Sequence, residues 1–267
     1  MLHAQNLSIG YPNRVLASGI SLTVDEGEVI AILGPNGSGK TTLFRTLLGL
    51  IPARQGAVFL HGRAITALPA NIIAKLIAYV PQVSASFANF SVIEVVEMAR
   101  TPHLAWYSSP SAKDHTIAEN ALAELNIADF AAREFTELSG GERQLVMIAR
   151  ALASEAKILL MDEPTASLDF GNQFLILDEI AKLKSRGVSV IFTTHHPDHA
   201  LRIADRTLTI SRTGQVQTGL TNAVLNAASL TALYGIGIDL IDSRHGPSIV
   251  ASLVASRVAA QPLPGSG

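Results

Sequence analysis

Residues Gly34–Thr42 read GPNGSGKTT, and they stand between an apolar run, VIAIL (Val29–Leu33), and a helical one, TTLFRTLLGL (Thr41–Leu50). Strand, then G-x-x-x-x-G-K-[ST], then helix is the context of a phosphate-binding loop. Gly37 and Gly39 let the backbone curl closely, so the N–H groups from Asn36 through Ser38 and Lys40 to Thr41 can wrap a phosphate. Unpaired donors and the helix dipole favour an anion at that helix start. Lys40 is expected to reach the β- and γ-phosphates and the Thr41 hydroxyl to ligate Mg²⁺, with Thr42 completing the nucleotide-binding stretch. A glycine-rich turn without a nucleotide is the competing reading, and the flanking strand and helix disfavour it.

Outward from the loop, short apolar runs without alternation recur at LIAYV (Leu76–Val80), ILLM (Ile158–Met161) and VSVIF (Val188–Phe192). Such runs suit strands buried on both faces. Helical stretches at Thr41–Leu50, Glu142–Ala153 and Gln173–Lys184 separate them, which predicts an α/β fold with a mainly parallel sheet. Before residue 30, and around GAVFLHGRAI, alternating polar and apolar residues predict an antiparallel β subdomain. The segment from about 83 to 153 is mostly helical and is expected to form a separate lobe. One domain would thus span 1–220. A helix and two strands at 221–258 would pack on the core, and AAQPLPGSG (259–267) reads as a disordered tail.

Composition narrows the classes. The 267 residues are 48% hydrophobic and carry a formal net charge of -2, which gives no broad positive field for nucleic acid. Cysteine is absent, which excludes disulfides and thiolate metal centres and is compatible with a reducing cytosol. No signal peptide is read at the N-terminus, and no segment approaches the roughly 20 apolar residues that span a bilayer. The chain is therefore expected to be soluble. Its mean hydropathy of +0.32 fits either a buried sheet with a partner-covered surface or Ala-rich helices.

KILLMDEP supplies acids for the loop. Asp162 ends a strand where a carboxylate can hold the Mg²⁺ shell opposite Thr41, and Glu163 beside it can orient and deprotonate a water near the γ-phosphate. A second anion-suited helix start follows Ser139, Gly140 and Gly141 in LSGGERQ (Leu138–Gln144).

These three motifs, in this order, resemble the ATP-binding cassette family over nearly the whole chain, and they imply its P-loop NTPase core with a helical family-specific lobe. The resemblance implies that Tyr11 stacks on adenine, that Gln82 senses Mg²⁺ and water, that Asp169 reaches towards a partner subunit, and that His195 touches the γ-phosphate and Glu163. It also implies a head-to-tail homodimer, in which Ser139 and Gly141 of one copy face the ATP held by the other. A cassette histidine accounts for His195, and His196 and His199 lack acidic or thiol partners at metal-site spacing, so no metal site is expected there.

The wording is similar to importers of the iron-siderophore, haem, cobalamin and molybdate type. That implies a separate membrane permease, indirectly a substrate-binding protein, and a place at the cytoplasmic face of the cell membrane. An exporter subunit, or a soluble nucleic-acid-associated ATPase, is the alternative. Permease docking is expected beside Gln82 along the apolar run Phe87, Phe90, Val92, Val95, Leu104, Trp106 and Tyr107, although packing of the helical lobe explains such a run equally well.

Overall fold

The computed structural model describes residues 2–82, 87–105, 107–166, 168–243 and 246–251. In chain order, β1 (Leu2–Tyr11), β2 (Arg14–Val24) and β3 (Val29–Leu33) lead into α1 (Lys40–Leu47), β4 (Gln55–Leu60), β5 (Arg63–Ala64), α2 (Ala70–Leu76) and β6 (Ile77–Val80). The helical lobe holds α3 (Val92–Glu97), α4 (Ala112–Glu124) and α5 (Gly140–Ala153), with short 3₁₀ turns between them. Then come β7 (Ile158–Met161), α6 (Phe170–Ser185), β8 (Ser189–Thr194), α7 (Pro197–Ile203), β9 (Arg206–Ile210), β10 (Val216–Leu220), α8 (Thr221–Val224), α9 (Ala227–Tyr234), β11 (Ile238–Ser243) and β12 (Gly246–Ala251).

The central sheet runs β10-β9-β3-β8-β7-β6, parallel except for β10 at its edge. All five residues of β3 are fully buried, and they divide by parity. Val29, Ala31 and Leu33 face the core shared with α5, α6 and the helical lobe. Ile30 and Ile32 face a second core shared with α1 and the antiparallel sheet β2-β1-β4-β5. Successive side chains leave opposite faces of a strand, so both faces must be apolar and no alternation survives. At roughly 1.5–3 kcal/mol per buried Val, Leu or Ile side chain, these strands anchor the domain.

Register then positions the chemistry. Leu33 pairs with Thr194, Met161 with Phe192, and Val80 with Met161. The residues that follow these strand ends, Gly34, Asp162 and His195, therefore emerge side by side on the carboxyl edge, where ligands bind in open α/β sheets.

In the lobe, Arg100 is buried and donates from Nε to Asp114 Oδ1 at 3.0 Å, and from Nη1 to the Ala153 carbonyl and Glu155 Oε2, both at 2.8 Å. Helix α9 sends Leu230 and Leu233 into the core that also holds α5 and α6. The stretch 259–267 expected to be a disordered tail lies outside the described residues.

Some expected boundaries shift. Leu76 closes α2 and does not open the strand, because β6 starts at Ile77. Helix α1 stops at Leu47, two residues before Gly49, whose φ of 70° no helix continues through. Helix α6 starts at Phe170, earlier than Gln173, because Asp169 caps it by accepting from the Asn172 N–H at 2.9 Å.

Candidate functional site

The phosphate loop folds around its lysine. Gly39 adopts φ 106° and Gly37 φ 79°, backbone states that favour glycine, and they turn the chain tightly into α1. Lys40, 5% exposed, donates from Nζ to the Gly34 carbonyl at 2.8 Å and lies 3.2 Å from Glu163 Oε1. Ser38 Oγ is buried and has no hydrogen-bond partner among the described residues. An orphaned hydroxyl beside a lysine and a helix start fits an oxyanion, which can accept from all three. Asn36 is exposed beside them. Tyr11 is 47% exposed, with its hydroxyl 3.5 Å from Thr42 Oγ1, so its ring borders the same loop.

The acids sit at the end of β7. Asp162 is 3% exposed, and each of its oxygens receives a hydroxyl: Thr193 Oγ1 donates to Oδ1 at 2.6 Å, and the Tyr79 hydroxyl donates to Oδ2 at 3.4 Å. Burial, with the Asp162 charge adding to it, pushes the Tyr79 phenol up to about 12, so it stays a donor at neutral pH. Thr193 Oγ1 also accepts from the Glu163 N–H at 2.8 Å. One threonine thus fixes both acids. A buried carboxylate oriented this way at a strand end suits a hard cation such as Mg²⁺.

His195 follows β8. Its Nδ1 is buried and makes no hydrogen bond among the described residues, yet it lies 3.4 Å from Glu163 Oε2. The ring packs at a 42° tilt against His196, with centroids 4.0 Å apart, and His196 packs at 45° against His199 at 4.8 Å. His199 is buried with Nδ1 3.2 Å from Thr165 Oγ1 and 3.3 Å from Thr194 Oγ1, and burial pushes it down to about 4. It supports the turn as a neutral residue.

Lys40, Asp162, Glu163 and His195 are therefore brought together. Gln82 is exposed two residues past β6, and no hydrogen bond among the described residues joins it to Asp162 or Glu163. Ser139 and Gly140 are exposed at the start of α5, where Ser139 Oγ accepts from the Glu142 N–H and Glu142 Oε2 accepts from the Ser139 N–H at 2.7 Å. No hydrogen bond or ion pair among the described residues joins them to the loop at 34–42. Gly141 is buried against α6, where an added Cβ would lie 2.8 Å from Asn172 Cγ.

Thr193, Tyr79 and Asn172 escape the sequence reading. Thr193 stands two residues before His195, in TTHH, and Tyr79 three before Gln82, in YVPQ, and that nearness is the only signal they give. The run expected to dock a permease divides: Val92 and Val95 are fully buried, and Phe87 packs edge-on to Phe135 at 5.2 Å. Phe90 and Tyr107 remain exposed, and Trp106 lies outside the described residues.

Residues 17–166 match the ABC transporter family. The molybdate import ATP-binding protein MolC of Haemophilus influenzae is 37% identical over 87% of both chains. The iron(3+)-hydroxamate import ATP-binding protein FhuC of Bacillus subtilis is 32% identical over 90% of both. Among solved structures, an inward-facing ABC transporter described as metal-chelate type superposes with a TM-score of 0.84 at 34% identity, covering 94% of this chain and 97% of that one. Loop, acids and histidine meet on one sheet edge because the chain belongs to the ABC transporter family, as an ATP-binding subunit of the kind that hydrolyses ATP to power transport.

Proposed function

We propose that this chain drives uptake of a metal chelate or an oxyanion through a separate membrane permease. The observation that carries the ATPase half is the meeting of Lys40, Asp162, Glu163 and His195 on the carboxyl edge of the sheet. The importer half draws support from the relatives, whose names include molybdate and iron-hydroxamate import.

In this reading the N–H groups of Asn36–Thr42 and the Lys40 ammonium bind the phosphates, and Tyr11 stacks on the adenine. Thr41, Asp162 and Gln82 hold Mg²⁺, which neutralises phosphate charge when bound. Glu163 takes the proton of the attacking water, and His195, beside it, keeps that water and the γ-phosphate in line. Ser139, Gly140 and Gly141 serve the nucleotide of a second copy, and Asp169 reaches across the same interface. The exposure of Ser139, with no link to its own loop, supports that head-to-tail homodimer. Closure with ATP and opening after hydrolysis convert phosphoryl transfer into movement.

The permease docks in a groove of about 810 Å³ between the core and the helical lobe, lined by Leu50, Ile65, Ile73, Tyr79, Ala99 and Pro102 among others. Its predominantly apolar lining suits an apolar segment. Tyr79 belongs to both places, lining the groove and giving its hydroxyl to Asp162, so a docked segment reaches a residue bonded to that carboxylate. No helix among the described residues is long and apolar enough to cross a membrane. In this reading the chain sits peripherally at the cytoplasmic face, held there by the permease.

The test is uptake by the complex of this chain with its permease and binding protein, offered ferric hydroxamate, haem, cobalamin and molybdate. ATP-dependent uptake of one of these is expected. ATP hydrolysis with efflux, or with no uptake of any of the four, would replace the importer reading.

A further inference from the structure

Helix α9 ends on Tyr234, whose hydroxyl donates to the main-chain carbonyl of His195 at 2.8 Å. The helix is held at both ends. Asn226 and Ser229 form a reciprocal cap at its start, Ser229 Oγ also donates to the Val224 carbonyl at 2.6 Å, and Gly235, at φ 72°, stops it directly after Tyr234. Leu230 and Leu233 bury its inner face, and the Ile238 N–H donates to Thr231 Oγ1 at 3.1 Å as the chain leaves. The phenol is therefore delivered to one place by a rigid support.

What it holds is the turn that aims the imidazole at Glu163. On one side that turn is fixed by Thr194, whose Oγ1 accepts from the His196 N–H at 3.0 Å. On the other side the His195 carbonyl has Tyr234 as its hydrogen-bond donor among the described residues. The His195 side chain is 35% exposed, so packing alone does not fix its ring. Burial, with Asp198 adding to it, raises the Tyr234 phenol far above neutrality, which keeps it a donor.

We infer that Tyr234 is a positioning residue for His195, and that the C-terminal segment through α9 thereby sets the rate of hydrolysis. The inference rests on the reading of His195 as the residue that holds water and γ-phosphate. Without the phenol, the peptide plane between His195 and His196 would be held only by its N–H on Thr194, and the ring could swing from Glu163. A misplacement of about 1 Å costs up to roughly a hundredfold in rate.

Tyr234→Phe keeps the buried ring and removes the hydroxyl alone. In the full chain, kcat for ATP is expected to fall about tenfold, with KM for ATP changed less than about twofold and the unfolding midpoint close to wild type. Ile20→Val, in the separate core beneath the antiparallel sheet, serves as the structural reference, because it lowers the midpoint away from α9. The ring resonances of His195, followed by NMR, are expected to move in Tyr234→Phe and stay in Ile20→Val. A wild-type kcat in Tyr234→Phe would overturn the inference, and so would a fall in kcat that merely tracks a fall in midpoint. His195→Ala separates this from the underlying reading: if it keeps wild-type turnover, the role of His195 itself is lost, whereas if it loses turnover and Tyr234→Phe does not, only the strut from α9 is lost.

Discussion

Glu163 sits at φ 48°, a left-handed backbone state that costs a non-glycine residue of order 1 kcal/mol and persists only where its surroundings over-determine it. Here the Thr193 hydroxyl accepts from its N–H, and Lys40 and His195 flank its two carboxylate oxygens. Strain held by three partners is what a positioned base requires. Glu163→Gln keeps the shape and loses the basicity, so turnover is expected to fall by roughly 10²–10⁴ while ATP affinity holds, measured by steady-state hydrolysis and by nucleotide titration. Turnover near wild type would remove Glu163 from the role. His199 governs stability in place of chemistry. Its folded value of about 4 lies below the ordinary value near 6.5, so the unfolded chain binds more protons between those limits. The contribution is complete above about pH 6.5 and is lost as pH falls towards 4, amounting to about 3 kcal/mol at most. Unfolding midpoints from pH 7 to 4 should therefore drop less steeply in His199→Gln than in wild type. Equal slopes would show that another group carries the acid sensitivity.

Between elements, the tightest fit at the family motif joins α5 and α6. Gly141 leaves no room for a side chain because Asn172 lies against it, and the Asn172 side-chain amide donates to Asp169 Oδ2 at 2.8 Å. The motif helix and the Asp169 turn are thus one rigid piece. Gly141→Ala must push Asn172 aside, at a cost of about 1–3 kcal/mol for overpacking, and is expected to lower turnover at least tenfold. Adding Asn172→Ala should restore most of the lost thermal stability without restoring the rate, read by melting and hydrolysis side by side. If the double variant is no more stable than Gly141→Ala alone, the contact does not matter. Elements were legible where a local rule decides them. β3, β7 and β8 announce themselves as unalternating apolar runs because both faces are covered, whereas α5, expected from Glu142, starts two residues earlier at Gly140 because Ser139 and Glu142 cap it reciprocally. Candidate residues inside a motif were legible for the same reason, whereas Thr193 and Tyr79, just outside one, were not. What stayed hidden are contacts between distant segments: Asn172 under Gly141, Tyr234 under His195, and the burial of Val92 and Val95, whose apolar run looks alike whether it faces a partner or the lobe.

At the scale of the whole molecule, two surfaces await company. The first is the start of α5, where Ser139 is exposed and, in the proposed reading, faces the nucleotide of a second copy. In the Glu163→Gln background, which retains ATP, Ser139→Trp is expected to leave nucleotide binding by the single subunit intact and to abolish ATP-dependent dimerisation, seen as a persistent monomer by size-exclusion with light scattering. A dimer of wild-type stability would mean that the two copies do not meet there. The second is the groove between core and lobe. Leu50 is 66% exposed on its rim, so it contributes little to folding, and water covers a leucine there only at a hydrophobic cost that a partner could remove. Leu50→Glu places a charge at the mouth without touching the phosphate loop or Asp162. Its thermal stability and ATP affinity are expected to match wild type, while co-purification with the permease falls at least tenfold, since burying an unpaired carboxylate opposes docking by several kcal/mol. The matched ATP affinity ensures that a lost complex reports on the surface itself. If Leu50→Glu assembles as wild type does, the permease sits elsewhere, and the exposed Phe90 and Tyr107 become the next residues to change.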